Sequence, residues 1–261
     1  MVVTPKPSTP SSIPFTIRWE SLPDDFKLDD EPVENTGQPL IAGALRESLE
    51  LAGYIQPEML IAGNLGICAT VNNNLVIKAP GWLYVARVEP IVTGRDRRSY
   101  TPYLEGGVPK VVMEFLSETD GGEYSSKQTF PPGKWFFYEK ILQVPTYVLF
   151  DPASGDLEVH QLEEQGYKVK PSDDGDRYWL EDMRLFLGVW QGEKEGRSGY
   201  WLRWWDESGN LLLWAVEQAE QNRQQLEAER QKAEAERQRA ERLAERLRSL
   251  GIDPDDIAVL L

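Results

Sequence analysis

The sequence predicts an α/β fold in which a mixed sheet is flanked by helices and followed by β-hairpins and one long C-terminal helix. Two apolar runs, at residues 111–116 and 147–150, enclose a short amphipathic helix at residues 134–138. Strand, crossover helix and strand in this order form the unit from which parallel sheets are built. Polar, Gly-containing turns follow this unit and indicate antiparallel strand pairs. Residues 217–250 contain neither Gly nor Pro, which predicts one continuous helix.

The first part of the chain supplies a helix and a hairpin ahead of this unit. Residues 1–14 are rich in Pro and Ser and predict a disordered lead-in. Pro39 opens a helical apolar pattern over residues 40–55, within which Gly53 suits the C-cap. The Asn72–Asn74 run lies between two apolar segments and predicts a hairpin turn, because Asn tolerates positive φ.

The chain after the parallel unit is predicted to consist of strands joined by turns. Residues 151–156 form a first hairpin turn, and a final hairpin turns at residues 208–210. Four tryptophans gather in that final hairpin: Trp201, Trp204, Trp205 and Trp214. A surface that stacks nucleobases needs interleaved cations, and only Arg203 is nearby. We therefore interpret these tryptophans as core or subunit-contact residues.

Composition divides the chain into four parts: a lead-in (1–14), a folded domain (15–215), a long charged helix (216–250) and a tail (251–261). In the charged helix a seven-residue apolar period runs through Ala219, Leu226, Ala233, Ala240 and Leu247. The companion positions become apolar only at Leu243 and Leu250, so the seam is continuous only in the last two heptads. Two interpretations stay open. The helix is a coiled coil that binds a partner or a second copy, or it is a charged rod held by Glu–Arg pairs.

The net charge limits the partners of the folded domain. The whole chain carries −15; residues 217–250 hold eight acidic and eight basic side chains and sum to zero. Three aspartates in the tail account for −3, so residues 1–216 carry −12. A domain this acidic repels nucleic acid at long range, which opposes general, non-specific DNA binding.

Several classes of site are excluded by what the chain lacks. One cysteine, Cys68, excludes an intrachain disulfide and a Cys-cluster metal site, and we expect it to be a buried packing residue. One histidine, His160, excludes multi-histidine sites; we expect it on a sheet surface without a catalytic role. No apolar run is long enough to span a membrane, and the start of the chain has no signal-peptide pattern. These features predict a cytoplasmic protein.

One carboxylate, Glu114, lies in the middle of the apolar run at residues 111–116. An unpaired buried charge is costly, so this side chain needs either an ionic partner or a metal cation. Lys134, at the start of the amphipathic helix, is the candidate partner. A simple Glu114–Lys134 ion pair beneath the loop and a metal site both stay open at this point.

Three ordered motifs surround these residues. Residues 114–117 read E-F-L-S, Lys134 precedes Tyr138 by one helical turn, and residues 144–147 read V-P-T-Y. With these motifs, residues 20–215 resemble the Uma-two family of restriction endonucleases, within the PD-(D/E)xK nuclease superfamily. The resemblance implies a restriction-endonuclease-like sheet and an endonuclease that hydrolyses phosphodiester bonds in DNA.

The family chemistry assigns a role to each matching residue. Two carboxylates and a backbone carbonyl hold Mg²⁺ (or Mn²⁺), and a lysine orients the water or the phosphate. The resemblance thus implies that Glu114 and the carbonyl of Phe115 are metal ligands, that Lys134 is the positioning cation, and that Glu34 is an accessory acid. Gly81 is a degenerate ligand position, because the family pattern has Asp there. The alternative is a non-catalytic relative that acts as a binding or assembly module through the C-terminal helix and the Trp-rich hairpin.

The loop between the Gly81 strand and the Glu114 strand is locally basic, because residues 87–110 carry a balance of +2. In a nuclease, Arg95, Arg97 and Arg98 would contact phosphates of the DNA partner. The other interpretation is a solvated loop whose arginines pair with the acidic surface. Through its C-terminal helix we expect the chain to form a homodimer or to bind a coiled-coil partner.

Overall fold

The computed structural model describes residues 16–20, 35–91, 96–117 and 122–251. The predicted lead-in at residues 1–14 lies outside this part of the chain, as does most of the predicted tail. The chain divides into two compact units, Met1–Leu212 and Leu213–Leu261. The first unit contains all the strands described here, and the second contains the long C-terminal helix.

In chain order the helices are α1 (Gly37–Leu51), α2 (Lys134–Phe136) and α3 (Ala215–Ser249), and a π-helical segment, Phe137–Leu142, directly follows α2. The strands are β1 (Ile17–Arg18), β2 (Leu60–Ala62), β3 (Gly66–Val71), β4 (Asn74–Lys78), β5 (Trp82–Val85), β6 (Ser99–Tyr100), β7 (Val111–Phe115), β8 (Thr146–Phe150), β9 (Leu157–Glu163), β10 (Gly166–Val169), β11 (Tyr178–Leu180), β12 (Leu185–Lys194) and β13 (Arg197–Trp205). The predicted α/β class is confirmed.

The central sheet has the strand order β10-β9-β8-β7-β5-β2. Strands β7 and β8 are parallel, with Glu114 opposite Leu149, and the other neighbouring pairs are antiparallel. Every residue of β7 and β8 is buried, which explains why their sequences are nearly continuous apolar runs. The predicted strand–helix–strand unit and the mixed sheet are therefore confirmed.

A second sheet joins β1, β3 and β4 in antiparallel order, with β6 parallel to β3. Strands β3 and β4 meet at Asn72 and Asn73, whose φ angles are 50° and 64°. Two consecutive residues at positive φ are what a two-residue type I′ hairpin turn requires. The Asn hairpin predicted from the sequence is confirmed.

The third sheet is the antiparallel meander β11-β12-β13. Its last strand carries Trp201 and Trp204, both fully buried. Trp204 donates from Nε1 to the carbonyl of Leu45 at 3.2 Å, which joins this sheet to α1. These two tryptophans therefore belong to the core and cannot stack on nucleobases.

The final hairpin turn predicted at residues 208–210 is present, but the strand predicted beyond it is not formed. Strand β13 pairs with β12 along its whole length, and the segment beyond the turn forms a single bridge, from Trp205 to Leu211. Asp206 closes the turn by accepting backbone N–H bonds from the residues that follow it. Because α3 begins soon afterwards, too few residues remain for another strand.

Helix α1 begins ahead of the predicted Pro39. The side chain of Asn35 accepts hydrogen bonds from the backbone N–H groups of Gly37 and Gln38, at 2.9 and 3.2 Å. These bonds satisfy donors that the first helical turn leaves open. Gly53 follows the helix with φ of 75°, in agreement with the predicted glycine at its C-terminal end.

The expectation that His160 lies on a sheet surface is wrong, because its side chain is buried. Its ring contacts Trp135 edge-on, with 4.8 Å between the ring centroids, and its Nε2 lies 3.1 Å from Glu158 Oε2. Trp135 comes from α2 and covers the face of β9 on which His160 lies. Cys68 is buried, as expected.

Helix α3 confirms the long C-terminal helix predicted from the composition, and none of its residues is buried. The backbone N–H of Trp214 donates to Glu217 Oε2 at 2.8 Å, which caps the first turn. Pairs such as Glu220 and Arg223 lie on its surface at helical spacing. In the described part of the chain, no helix is both long and apolar enough to cross a membrane.

Candidate active site at the end of the parallel strands

A buried carboxylate lies near the carboxyl end of β7. Glu114 is 3 % exposed. Lys134, the first residue of α2, donates from Nζ to Glu114 Oε2 at 3.2 Å, and the same ammonium donates to Glu123 Oε1 at 3.3 Å. One lysine therefore holds two buried carboxylates and offsets their mutual repulsion. The Glu114–Lys134 ion pair that the sequence suggested is present, and Glu123 is a second acid bound to the same lysine.

Tyr138 binds the other oxygen of Glu114. Its hydroxyl donates to Oε1 at 2.9 Å. Lys134 and Tyr138 lie four positions apart, so that one helical turn brings both side chains to β7. The helix changes from α to π between them, at Phe137. Short π-helical segments within helices are frequent at functional sites.

Sequence reasoning did not single out Glu123. This residue lies in the polar loop between β7 and α2, and its side chain is buried. Its Oε2 has no hydrogen-bond partner among the described residues. Tyr147 on β8 holds the loop by donating from its hydroxyl to the Glu123 carbonyl at 2.9 Å. The sequence shows only that the loop ahead of α2 contains three acidic residues, Glu118, Asp120 and Glu123, and no pattern indicates which of them reaches Lys134.

The carbonyl of Phe115, the predicted backbone ligand, is already oriented by a side chain. Gln38, a buried residue in the first turn of α1, donates from Nε2 to this oxygen at 2.8 Å. A carbonyl oxygen has two lone pairs, so one acceptor position remains. Helix α1 therefore helps to fix the last carbonyl of β7.

These groups line one pocket of about 200 Å³. Its polar lining comes from Gln38, Asn64, Lys78, Glu114, Ser117, Glu123 and Lys134. A larger groove of about 720 Å³ lies elsewhere, lined in part by Met59, Leu60 and Ile91. The smaller pocket is the candidate site, because its two carboxylates, Glu114 and Glu123, are buried and share the ammonium of Lys134.

Burial dominates the electrostatics of the pocket. It raises the pKa of the Glu114 carboxyl to about 7, against the opposing effects of the Lys134 charge and the Tyr138 hydrogen bond, and the Glu123 charge raises it further. Burial lowers the pKa of Lys134, but the two carboxylates outweigh it and the net shift is upward. Lys134 is therefore charged at neutral pH, whereas Glu114 is near the midpoint of its titration.

Gly81 has no space for a side chain. A Cβ at this position would lie 2.7 Å from Cδ2 of Phe115, well inside the normal carbon–carbon contact distance of about 3.5–4.0 Å. The Phe115 ring packs edge-on against Phe150, with 6.4 Å between centroids. An aromatic ring thus takes the room that the family's Asp side chain would need.

The arginines named from the sequence do not line this pocket where the structure describes them. Arg97 pairs with Glu105, so the pairing with acidic groups that the sequence left open is present for this residue. Arg98 is exposed on the same loop. Arg95 and Glu34 lie outside the described residues.

The donors at the pocket fit a hard divalent cation. Glu114 and Glu123 offer carboxylate oxygens, including the unpartnered Oε2 of Glu123, and Phe115 offers its carbonyl. Mg²⁺ is usually held by one or two carboxylates and completes its shell with water and phosphate oxygens. Among the described residues no group of three or more His, Cys, Asp or Glu side chains could hold a metal ion. Within the described ranges, the acidic oxygen donors that line this pocket are therefore the two carboxylates of Glu114 and Glu123.

We expect Gly81→Ala to lower the free energy of unfolding by about 1–3 kcal/mol, because the new Cβ overpacks against the Phe115 ring. Gly43→Ala is the matched control. Gly43 lies within α1, where an added Cβ would meet nothing within 4 Å. Alanine at this position should therefore raise the free energy of unfolding by about 0.5–1 kcal/mol. Urea unfolding measures both. An unchanged midpoint for Gly81→Ala would show that the ring moves aside freely.

Glu114→Gln should flatten the pH dependence of stability between about pH 4.5 and 7. Because burial raises the carboxyl pKa of Glu114 from 4.5 to about 7, the stability linked to this group is complete below pH 4.5 and is lost as the pH rises through 7. Across this range the unchanged protein should lose about 1–3 kcal/mol more than the variant. Denaturant unfolding in EDTA, with Glu164→Gln as an exposed control, measures this. Parallel curves for the unchanged protein and Glu114→Gln would contradict the raised pKa.

A comparison with curated proteins gives no match for this chain. A family model does match: residues 43–190 match Uma2, described as "Putative restriction endonuclease". The matched segment covers more than half of the chain and contains Gly81, Glu114, Glu123 and Lys134. The order of motifs, the mixed sheet and this match agree, and the chain therefore belongs to the Uma2 (Uma-two) family.

Proposed function

We propose that this chain is a divalent-metal-dependent endonuclease that hydrolyses phosphodiester bonds in DNA. The observation that carries the proposal is the convergence of Glu114, Glu123 and Lys134 in one pocket beside the Phe115 carbonyl. These groups lie at the carboxyl end of a strand that pairs in parallel with β8. Membership of a family described as restriction endonucleases supports the same reaction class.

In this proposal Glu114, Glu123 and the Phe115 carbonyl hold Mg²⁺ or Mn²⁺ through hard oxygen ligands. When bound, the ion supplies a nucleophilic water and offsets the charge of the scissile phosphate. Glu123 is proposed as the second carboxylate ligand, because Gly81 has no side chain to supply one. The second acid thus comes from the loop after β7, where the family pattern takes it from the preceding strand.

The residues around the ligands position them before substrate arrives. Lys134 binds both carboxylates and keeps them on the same side of the pocket despite their like charge. Tyr138 orients Glu114, and Gln38 orients the Phe115 carbonyl. Fixed contacts of this kind commonly tune metal affinity and reduce the reorganisation that the reaction requires.

The charge of the domain shapes how DNA would be bound. Residues 1–216 carry −12, so attraction to DNA at long range is absent and binding depends on local cations. Arg95 and Arg98 remain proposed phosphate contacts, and Glu34 remains a proposed accessory acid. We assign Arg97 a role in holding its own loop, because its guanidinium is bonded to Glu105.

The test is cleavage of supercoiled plasmid with Mg²⁺ or Mn²⁺. We expect the unchanged protein to nick or linearise the plasmid, and Glu114→Gln and Glu123→Gln each to slow cleavage by about 10²-fold or more, because each removes a charged metal ligand. Glu164→Gln is the control, since this exposed carboxylate lies outside the pocket. EDTA should abolish cleavage by every active variant.

The outcomes separate the parts of the proposal. Cleavage that Glu114→Gln abolishes while Glu123→Gln cleaves at the unchanged rate would support the nuclease and remove Glu123 from the ligand set. Absence of cleavage by the unchanged protein with either ion, while the protein is folded, would contradict the proposed activity. Gly81→Asp alone is a poor gain-of-function variant because of the Phe115 ring, so Gly81→Asp is better combined with Phe115→Leu.

A second candidate function is a non-catalytic assembly module. It is favoured by the Phe115 ring at the Gly81 position and by the exposed leucines Leu226, Leu243 and Leu250 on the second unit. Leucines repeated at seven-residue spacing form the seam of a coiled coil. In this alternative the Glu114–Lys134–Glu123 cluster is a stabilising ion network, and α3 joins two copies of the chain.

The alternative predicts a dimer that depends on the α3 seam. Leu243→Lys combined with Leu247→Lys should convert the protein to a monomer, because charges at seam positions oppose helix pairing. Gln231→Lys combined with Gln238→Lys adds the same charge away from the seam and should leave the dimer intact. Sedimentation velocity over a range of concentrations measures the oligomeric state of the unchanged protein and of both double variants. A monomeric unchanged protein would argue against assembly through α3.

A further inference from the structure

A second lysine lines the candidate pocket and was not singled out by the sequence. Lys78 is the last residue of β4, is half-buried, and shares the pocket with Glu114, Glu123 and Lys134. The described residues offer its ammonium no hydrogen bond and no ion pair within normal distance. The two lysines of the pocket therefore differ, since Lys134 is bonded to two carboxylates.

The charge of Lys78 acts inside the pocket. Burial lowers its pKa, the Lys134 charge lowers it further, and the Glu114 charge raises it. Lys78, Glu114 and Lys134 line the same pocket, which places the three charges in one small space. An ammonium that is partly desolvated beside another cation gains little from the protein alone, and an anion at the same place would offset the cost.

The dimensions and lining of the pocket favour a small oxyanion. The volume of about 200 Å³ suits a single phosphate group better than a nucleoside. Asn64 and Ser117 add an amide and a hydroxyl that can donate hydrogen bonds to phosphate oxygens. A lysine ammonium is a common phosphate ligand because it acts as a point charge with three donors.

We propose that Lys78 is the phosphate-binding residue of this pocket, and that its ammonium contacts a non-bridging phosphate oxygen of DNA while Lys134 holds the two carboxylates. The identification of the phosphate as part of DNA rests on the proposed function. The division of labour between the lysines follows from their contacts: the ammonium of Lys134 bridges two carboxylates, whereas Lys78 lines the same pocket without a hydrogen bond or ion pair to the described residues.

The experiment measures binding of a fluorescein-labelled DNA duplex by fluorescence anisotropy, with Ca²⁺ present to occupy the site without supporting rapid cleavage. Lys78→Gln should weaken binding about 10-fold and reduce the slope of log Kd against log salt by about one, as expected for one lost phosphate contact. Lys78→Arg should retain most of the affinity and the slope. Lys168→Gln is the matched control, because it removes the same charge from an exposed lysine outside the pocket.

A second readout does not depend on DNA. Acetic anhydride labels lysines, and mass spectrometry compares the labelling of Lys78 with and without inorganic phosphate or the duplex. We expect both ligands to protect Lys78 severalfold while Lys168 is labelled equally throughout. Thermal unfolding of Lys78→Gln and Lys78→Arg shows that both variants are folded before binding is compared.

The outcomes distinguish this inference from the proposed function. Unchanged DNA binding by Lys78→Gln, alongside plasmid cleavage by the unchanged protein, would overturn the role of Lys78 and leave the nuclease intact. Protection of Lys78 by inorganic phosphate without DNA binding would support the phosphate site and overturn DNA as its source. Absence of protection by both ligands would overturn the inference and make Lys78 a solvated residue at the pocket rim.

Discussion

Glu114 can occupy a fully buried strand because Lys134 and Tyr138 reach it from the helix that crosses over to the neighbouring parallel strand. An unpaired carboxylate in this place would be strongly destabilising. The contact therefore ties three elements together: β7 carries the acid, α2 carries the lysine, and the π-helical segment carries the tyrosine. The loop with Glu123 joins the same lysine, so the local fold and the candidate site depend on one ionic cluster.

Gly81 stands where the family pattern has Asp, so in the proposed metal site the second carboxylate has to come from another part of the chain. The Phe115 ring occupies the space beside Gly81, so a side chain at this position would require the ring to move. The same Phe115 presents its carbonyl to the pocket and receives a hydrogen bond from Gln38. One residue thus fills the space at the family's Asp position with its ring and supplies the carbonyl that we propose as a backbone ligand. Glu123 is the second acid that lines the pocket, and its Oε2 has no hydrogen-bond partner among the described residues.

Charge is distributed unevenly over the first unit. The domain as a whole is strongly acidic, yet the pocket joins Lys78 and Lys134, with Lys127 close enough to influence Lys78. At physiological salt, screening weakens the repulsion between exposed charges beyond about 8–10 Å, whereas charges buried in the pocket are screened much less. If the proposed function holds, a substrate phosphate is recognised at the pocket itself, because the rest of the surface carries a net negative charge.

The elements with a strong local signal in the amino-acid sequence could be predicted. These are the parallel unit from its apolar runs, the Asn hairpin from its turn residues, and helix α3 from the absence of Gly and Pro. The sequence also indicated that Glu114 and Lys134 lie on neighbouring elements, because strand and helix spacing are local properties. Three contacts emerge only from the folded chain: Glu123 reaches the same lysine, Phe115 fills the space at position 81, and Trp135 buries His160. These contacts join segments whose separation in space depends on the path of a loop or on packing between layers. No local pattern records that path, which is why the candidate site could be half predicted and no more.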